Sequence, residues 1–386
     1  MQKILKETAS AKSLHLRSTL MTVQNASDID QIVADWVDLA GRVPAHSMSQ
    51  TAEFAGIALD LAAQQGKECF IITVRLANKL VGVWGLVKSR SWIHCILEPF
   101  SCGTHEEMSS PLIEPQFDNE IAVEIIEAAF SIKADRLCFY NMPRSGAVDR
   151  AIERLKCFQR VDFMQSYLID KNSFTNWKSV ESRLSKSFRS QLKRYEKKLS
   201  ERGLLEFGWS RTAEDAARVL GFIYETKRAW LKRKSLRSHW LNKNEVRDFF
   251  NALIQNPGFG RRPIIGWIKL DGNPIAGGIY ISTEDCVEAL ITTFDPRYSD
   301  VSCGNILVKH GISLSLETNR SYDIGIGSAR YKERWPAAPR LFTTRIVMRS
   351  SVGMIPGFAE LKGMLRTLRN RLLRRANNTL PEHCGE

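Results

Sequence analysis

The sequence predicts a mixed α/β protein made of two tandem units, each built on a mixed sheet, and three observations predict it. Short runs rich in β-branched and aromatic residues, such as VEALITTF at 287–294, alternate with longer segments of helical periodicity. Over 204–348 the element order reads β-α-α-β-β-β-α-β-α-β, and 22–170 read in nearly the same order. A polar break, NSFTN at 172–176, lies between the two runs, and 386 residues suffice to bury a core in each. The units are therefore expected at 21–171 and 177–350, after a flexible tail over 1–20. A basic amphipathic helix is expected at 356–376 and a disordered tail at 377–386.

Each element has a local reason. Helices are expected near 28–40 and 50–65, then strands near 69–76 and 80–88 around an Asn78-Lys79 turn, with a third at 92–97. Residues 98–117 carry Pro99, Gly103, Pro111 and Pro115 and read as a loop long enough to suggest function. A helix at 119–132, a strand at 136–140, a short helix at 148–155 and a strand at 164–169 complete the first unit. Leu184, Phe188, Leu192, Tyr195 and Leu199 recur at helical spacing, so 177–201 is read as one helix ending at Gly203. Lys186, Arg189, Lys193 and Lys197 line its other side. A strand at 204–209 and helices at 213–230 and 243–255 follow. Asp271-Gly272 between apolar runs marks a hairpin over 263–282. Then come the 287–294 strand, a helix at 303–318, a strand at 321–324, a helical turn near 330–335 and a final strand at 341–348.

Composition narrows the class. The chain is 44% hydrophobic and 25% charged, ordinary for a globular protein, and no apolar run approaches the roughly 20 residues that span a bilayer. The first twenty residues lack an apolar signal core, so a cytoplasmic protein is expected. Eight cysteines are scattered without a CxxC pair and read as buried free thiols. His94, Cys95, Cys102 and His105 match no usual zinc spacing, so no metal is expected. The net charge of +13 favours an anionic partner without choosing among nucleotide, phosphosugar, RNA and membrane surface.

Residues 287–335 are the most informative. The 287–294 strand is stopped by Asp295-Pro296, because proline has no N–H for the ladder. Ser302 and Gly304 then stand at a helix start, where a capping hydroxyl and an open backbone make a ready anion site. A second short strand brings Asp323, Tyr331 and Lys332 to the same end of the sheet. Each residue also has a plainer reading. Asp295 suits a turn cap, and Asp323 suits pairing with Lys332 or Arg334. Glu288 suits a solvated sheet face. Tyr331, Lys332 and Trp335 suit the core beneath the sheet. Cys303 suits packing more than reactivity, and Gly304 suits simple capping.

The second unit resembles the CelD/FemAB-like branch of GNAT-type acyltransferases, tandem proteins found with bacterial exopolysaccharide and cellulose synthesis genes. Phe294-Asp295-Pro296 with Tyr298 and Gly304, then Asp323, Gly327, Tyr331-Lys332 and Trp335, carry the resemblance. The basic segment SKSFRSQLKRYEKKLSERG and Lys227 with Trp230 fit it as well, whereas 20–170 match by layout only. The pyrophosphate loop of ordinary GNAT enzymes, Arg/Gln-x-x-Gly-x-Gly/Ala, is absent, and only Gly304 remains of it.

The resemblance implies two GNAT-like domains and transfer from acyl-CoA, as co-substrate, to an amine or hydroxyl. The acceptor class is an amino sugar, glycan precursor or related metabolite. The donor's pyrophosphate would meet the backbone around Ser302, Cys303, Gly304, Asn305 and Ile306, with Tyr298 and Lys332 nearby. Asp323, Asp295 and Glu288 are the candidate general bases, since a strand-end carboxylate with a raised pKa can take the proton of an acceptor amine. Tyr331 is the candidate proton donor to the leaving thiolate.

Two other functions remain open. An aminoacyl-tRNA-dependent transferase of the Fem type is favoured by the charge, although no long helical arm is evident. A non-catalytic accessory of polysaccharide assembly is favoured by the missing loop and the basic tail. In that tail Phe358, Leu361, Leu365, Leu368 and Leu372 form an apolar stripe that suits either an anionic membrane surface or the protein's own body.

Overall fold

The computed structural model describes residues 15–44, 46–91, 93–233, 238, 241, 244–256, 261–327 and 330–355. The expected amphipathic helix and final tail lie outside these residues, as do the first fourteen.

The described part of the first half opens with strand β1 (Leu16–Val23), which begins inside the segment expected to be a tail over 1–20. It pairs antiparallel with β2 along its whole length, Leu16 against Leu76 and Val23 against Cys69. Helices α1 (Asp30–Arg42) and α2 (Ala52–Gln64) follow. Thr51 caps α2 by accepting from the Phe54 N–H. Strands β2 (Glu68–Leu76), β3 (Lys79–Ser91) and β4 (His94–Pro99) form a meander, and the two-residue β5 (Leu112–Ile113) adds to β3. Helix α3 (Asp118–Ser131), strand β6 (Arg136–Pro143), helix α4 (Ala147–Glu153) and strand β7 (Phe158–Ile169) complete this half.

The segment expected as one helix over 177–201 is two, α5 (Trp177–Arg183) and α6 (Lys186–Ser200). Leu184 turns extended between them, and Ser185 starts α6 by accepting from the Phe188 N–H. Strand β8 (Leu205–Trp209) and helices α7 (Ala213–Arg233) and α8 (Glu245–Gln255) come next. The hairpin β9 (Ile265–Leu270) and β10 (Asn273–Ser282) turns at Asp271 and Gly272, both at positive φ. Strand β11 (Cys286–Phe294), helix α9 (Cys303–Glu317), strand β12 (Ser321–Asp323), strand β13 (Ala338–Met348) and the short α10 (Ser351–Met354) end the described chain.

Among the described residues all thirteen strands belong to one sheet, in the order β1-β2-β3-β4-β6-β13-β7-β12-β11-β10-β9-β8, with β5 beside β3. The last strand of each half has crossed to the other. Strand β13 pairs with β6 of the first half, and β7 pairs with β12 of the second. The two exchanged strands then pair antiparallel with each other along eleven residues, Ala338 against Leu168 through Met348 against Phe158. The polar break at 172–176 is therefore a turn between interlocked halves, with Phe174 buried in it.

Helices cover both faces. Helices α1 and α2 share one core with α7 and α8, and Phe54 of α2 meets Phe249 of α8 at 4.7 Å between ring centres. Helices α3 and α4 cover the opposite face of the first half. Helices α5, α6 and α9 cover that of the second. Glu196 of α6 accepts from Lys309 (2.5 Å) and His310 (2.7 Å) of α9, which fixes α9 against the sheet.

Candidate active site

Strands β11 and β12 pair in parallel over three rungs only, Cys286–Glu288 against Ser321–Asp323. Beyond them β11 runs on to Phe294, while the chain after β12 is drawn away by β7. Ile324 N–H donates to Tyr167 O (2.9 Å) and Gly327 N–H to Gln165 O (3.0 Å). Where the strands part, β11 carries a bulge. Ile279 pairs with Ile291 and Tyr280 with Ala289, so Leu290 is the extra residue. A bulge disrupts the ladder locally and re-aims backbone groups, which suits the wall of a site.

Two cavities open at this fork. The larger, about 700 Å3, lies along the end of β11 and the start of α9, with Thr292, Phe294, Ser302, Gly304 and Asn305 on its wall. The smaller, about 370 Å3, lies between Ala289–Thr292 and Ile324–Gly327, with Glu106, Leu231 and Lys332 around it. Lys227, Trp230, Thr292 and Tyr331 line both, so the cavities adjoin.

At the α9 start Ser302 adopts a left-handed conformation (φ 48°). Asn305 and Ile306 N–H groups already donate to Ser302 O (2.9 and 3.3 Å). The expected anion site over 302–306 thus narrows to the amide of Gly304, since the first N–H groups of a helix have no intrahelical acceptor and Cys303 is wholly buried. A Cβ added to Gly304 would meet only Phe294, at 3.9 Å, so its backbone is open to the cavity. The Cys303 side chain and Ile306 are buried in the core behind it. Burial pushes the Cys303 thiol up to about 12, and its Sγ lies 3.7 Å from Tyr298 O, so it packs rather than reacts. Tyr298 stands off the cavity wall, with the Arg202 guanidinium 5.9 Å from its ring centre.

The expected bases take different positions. Asp295 caps the turn after β11, accepting from Arg297 N–H (2.9 Å) and from its guanidinium, which holds the carboxyl below its usual range. Asp323 is 3% exposed and accepts from Ser166 Oγ (2.7 Å), Gly325 N–H (2.7 Å) and Arg340 (2.9 Å). Its lone pairs are committed to joining β7, β12 and β13, and its partner is Arg340 rather than Lys332 or Arg334. Glu288 accepts from Ser47 Oγ (3.0 Å) of the first half, and burial raises its carboxyl to about 7 despite the Arg340 charge. Asp323 and Glu288 face a pocket of only about 20 Å3 behind the smaller cavity.

Lys332 is 5% exposed and donates to Gly325 O (2.7 Å) and Ile326 O (2.9 Å), so it anchors the loop that forms one side of the fork. Tyr331 lines both cavities, and desolvation raises its hydroxyl pKa.

The carboxylate that does reach the smaller cavity is Glu106, which sequence reasoning missed. It comes from the first half, where β4 and β6 pair over only two rungs, Ile96 with Arg136 and Leu97 with Leu137. That opening is crossed by the long loop after β4. Ser109 N–H donates to Tyr140 O (3.2 Å), and Trp84 Nε1–H donates to Ser109 O (3.0 Å). Glu107 organises the loop from inside, accepting from Ser101 Oγ (2.5 Å), Cys102 N–H (2.9 Å) and Thr104 Oγ1 (2.7 Å). Its neighbour Glu106 then projects into the second half's cavity. Burial raises the Glu106 pKa, the Glu107 charge adds to that, and Lys332, Lys227 and His105 oppose it. The length of the 98–117 loop was the signal available in the sequence.

A third cavity, about 550 Å3, lies in the first half near Lys67, Glu98, Tyr140 and Glu245. In it Tyr140 donates to Glu98 (3.2 Å), and Lys67 lies 3.8 Å from Glu245. Among the described residues no group of three or more His, Cys, Asp or Glu could hold a metal. No described helix is long and apolar enough to cross a membrane.

The forked strands, the bulge and the helix start agree with a comparison against protein families. Residues 186–333 match the acetyltransferase (GNAT) domain. FemX is 11% identical, with 84% of this chain and 96% of that chain covered at a TM-score of 0.50. A conserved protein of unknown function from Bacteroides thetaiotaomicron is 10% identical, with 86% and 100% covered at 0.51. A tandem GNAT protein from the clavulanic acid biosynthesis pathway is 10% identical, with 87% and 100% covered at 0.47. None of the curated proteins matches. The GNAT match over 186–333 and the similar element order of the two halves make the fold a tandem GNAT-like one.

Proposed function

We propose that the protein transfers an acyl group from acyl-CoA to an amine, with the second half as the catalytic unit. The observation that carries this reading is the fork between β11 and β12, which places an open helix start beside a cavity holding one carboxylate, Glu106, that has no ion-pair partner among the described residues. The donor's pyrophosphate lies at the Gly304 amide, where the helix dipole favours negative charge. Its pantetheine arm follows the unpaired edge of β11 past Leu290. The acceptor occupies the smaller cavity, which suits an amino sugar or a comparable glycan precursor in bacterial polysaccharide synthesis.

In the reaction the acceptor nitrogen attacks the thioester carbonyl carbon. Glu106 takes the amine proton, the C–S bond breaks, and the Tyr331 hydroxyl protonates the departing thiolate. A partly buried carboxylate with a raised pKa is matched to this task near neutral pH. Calorimetric titration with CoA tests the donor assignment: micromolar-to-millimolar binding by the wild type, weakened in Gly304→Val, is expected. Equal binding by the two proteins would remove the helix start from the site.

A second reading keeps the chemistry and changes the donor to an aminoacyl-tRNA. It is favoured by the net charge of +13 and by the exposed face of α6, where Lys186, Lys193, Arg194, Lys197 and Lys198 stand in solvent. Binding of tRNA that falls steeply with salt on a log–log plot, together with no binding of CoA, would select it.

A further inference from the structure

Lysines of comparable burial elsewhere in this protein are satisfied. Lys269 lies 2.6 Å from Asp215, Lys309 lies 2.5 Å from Glu196, and Lys332 donates to two carbonyls. Lys227 differs. Its ammonium is half-buried at the junction of the two cavities, 5.4 Å from the Trp230 ring centre, and it makes no hydrogen bond or ion pair among the described residues. The Glu106 carboxylate likewise has none. The two charges feel each other across the cavity yet do not close into a pair. Burying a charge without a partner is costly, and two opposite charges held apart across a cavity are complementary to a ligand that carries both signs.

We propose that the acceptor carries an anionic group beside its amine, with Lys227 holding the anion while Glu106 faces the amine. This rests on the acyl-transfer reading and names the substrate class of the same site. Leu231, Leu241, Leu290 and Ile291 supply apolar wall between the polar ends, so the acceptor is a small zwitterion with an apolar or ring-shaped body. The anion is a carboxylate, as in an amino acid, or a phosphate, as in an amino-sugar phosphate. A lysine reads either as a point charge.

Two matched pairs of probes test this: leucine against isoamylamine, and glucosamine 6-phosphate against glucosamine. Binding is measured by calorimetry, and turnover is measured with acetyl-CoA. In at least one pair the anionic member should bind about tenfold more tightly or better. Lys227→Met should abolish that advantage and Lys227→Arg should keep part of it, with the KM for acetyl-CoA unchanged. Circular dichroism confirms that both variants fold. Equal affinity within both pairs, including undetectable binding of all four, overturns the proposal. So does a Lys227→Met effect confined to acetyl-CoA, which would give the lysine to the donor. Absence of thioester turnover with every amine would count against acyl transfer itself, while the calorimetric comparison would still decide the role of Lys227.

Discussion

Gly325 passes so close to Ala289 that a Cβ at position 325 would lie 2.1 Å from the Ala289 carbonyl oxygen. Gly325 also has φ +88°. The contact marks the point where the two strands of the fork part, so only glycine serves there. Gly325→Ala should cost at least roughly 1–3 kcal/mol from backbone strain alone, with the steric clash added to it. Chemical denaturation measures this, and unchanged stability would show that the loop relaxes freely.

Glu106→Gln should reduce kcat/KM by roughly 10²–10⁴-fold with little change in donor binding. In the wild type the raised Glu106 pKa should appear as the acid limb of the pH profile. Activity is present above that pKa and falls as pH drops through it, because the protonated carboxyl cannot accept the amine proton. A pH profile with the same acid limb in Glu106→Gln would assign the base to another residue.

Glu107→Gln addresses the neighbour. The Glu107 charge is one of the causes that raise the Glu106 pKa, so removing it should move the acid limb to lower pH. The amide can no longer accept with two oxygens from Ser101, Cys102 and Thr104, so the loop should also become more susceptible to proteolysis. A limb that stays in place would separate the two carboxylates electrostatically.

Gly304→Ala should be tolerated, because its methyl meets only Phe294 at 3.9 Å. Gly304→Val adds branches toward the larger cavity and should raise the KM for acyl-CoA about tenfold or more. Comparable KM values for the two variants would place the donor elsewhere.

Glu288→Gln should stabilise the protein at pH 8 and change it little at pH 5. The folded-state pKa of about 7 lies above the ordinary glutamate value of 4.5, so the folded protein binds the extra proton more tightly. Stability from this group is therefore fully present below about 4.5 and is lost as pH rises through about 7. The gain at pH 8 should be up to roughly 3 kcal/mol. Thermal melts at the two pH values check it, and a variant less stable at pH 8 would reverse the sign.

Much of the fold was legible locally. Asp271-Gly272 fixed the β9–β10 hairpin, and β-branched runs marked β2, β3, β10 and β11. Helical spacing marked α6, although the extended Leu184 that separates it from α5 left no periodic trace. Strand β1 escaped notice because most of its side chains lie exposed at a sheet edge, so it lacks an apolar alternation. The exchange of β7 and β13 depends on pairing between residues such as Ile169 with Tyr322 and Cys138 with Ile346, far apart in the chain, which no local pattern encodes.

The site was legible in the same proportion. The α9 start follows from Asp295-Pro296 and Gly304, which the sequence displays. Asp323 reads equally well as a base or an anchor until Arg340, seventeen residues on, is seen beside it. Glu106 required knowing that a loop of one half reaches the cavity of the other.

The interlocked strands also bear on how the chain is made. Cys138 of β6 finds its neighbour Ile346 only after about two hundred further residues have been made, so the amino-terminal half leaves the ribosome with one rim of its sheet bare. A bare rim is a template for wrong partners. Chains cut short before Ala338 should therefore accumulate as aggregates rather than as a free-standing first half, and the arrival of β13 becomes the moment at which both halves are locked together.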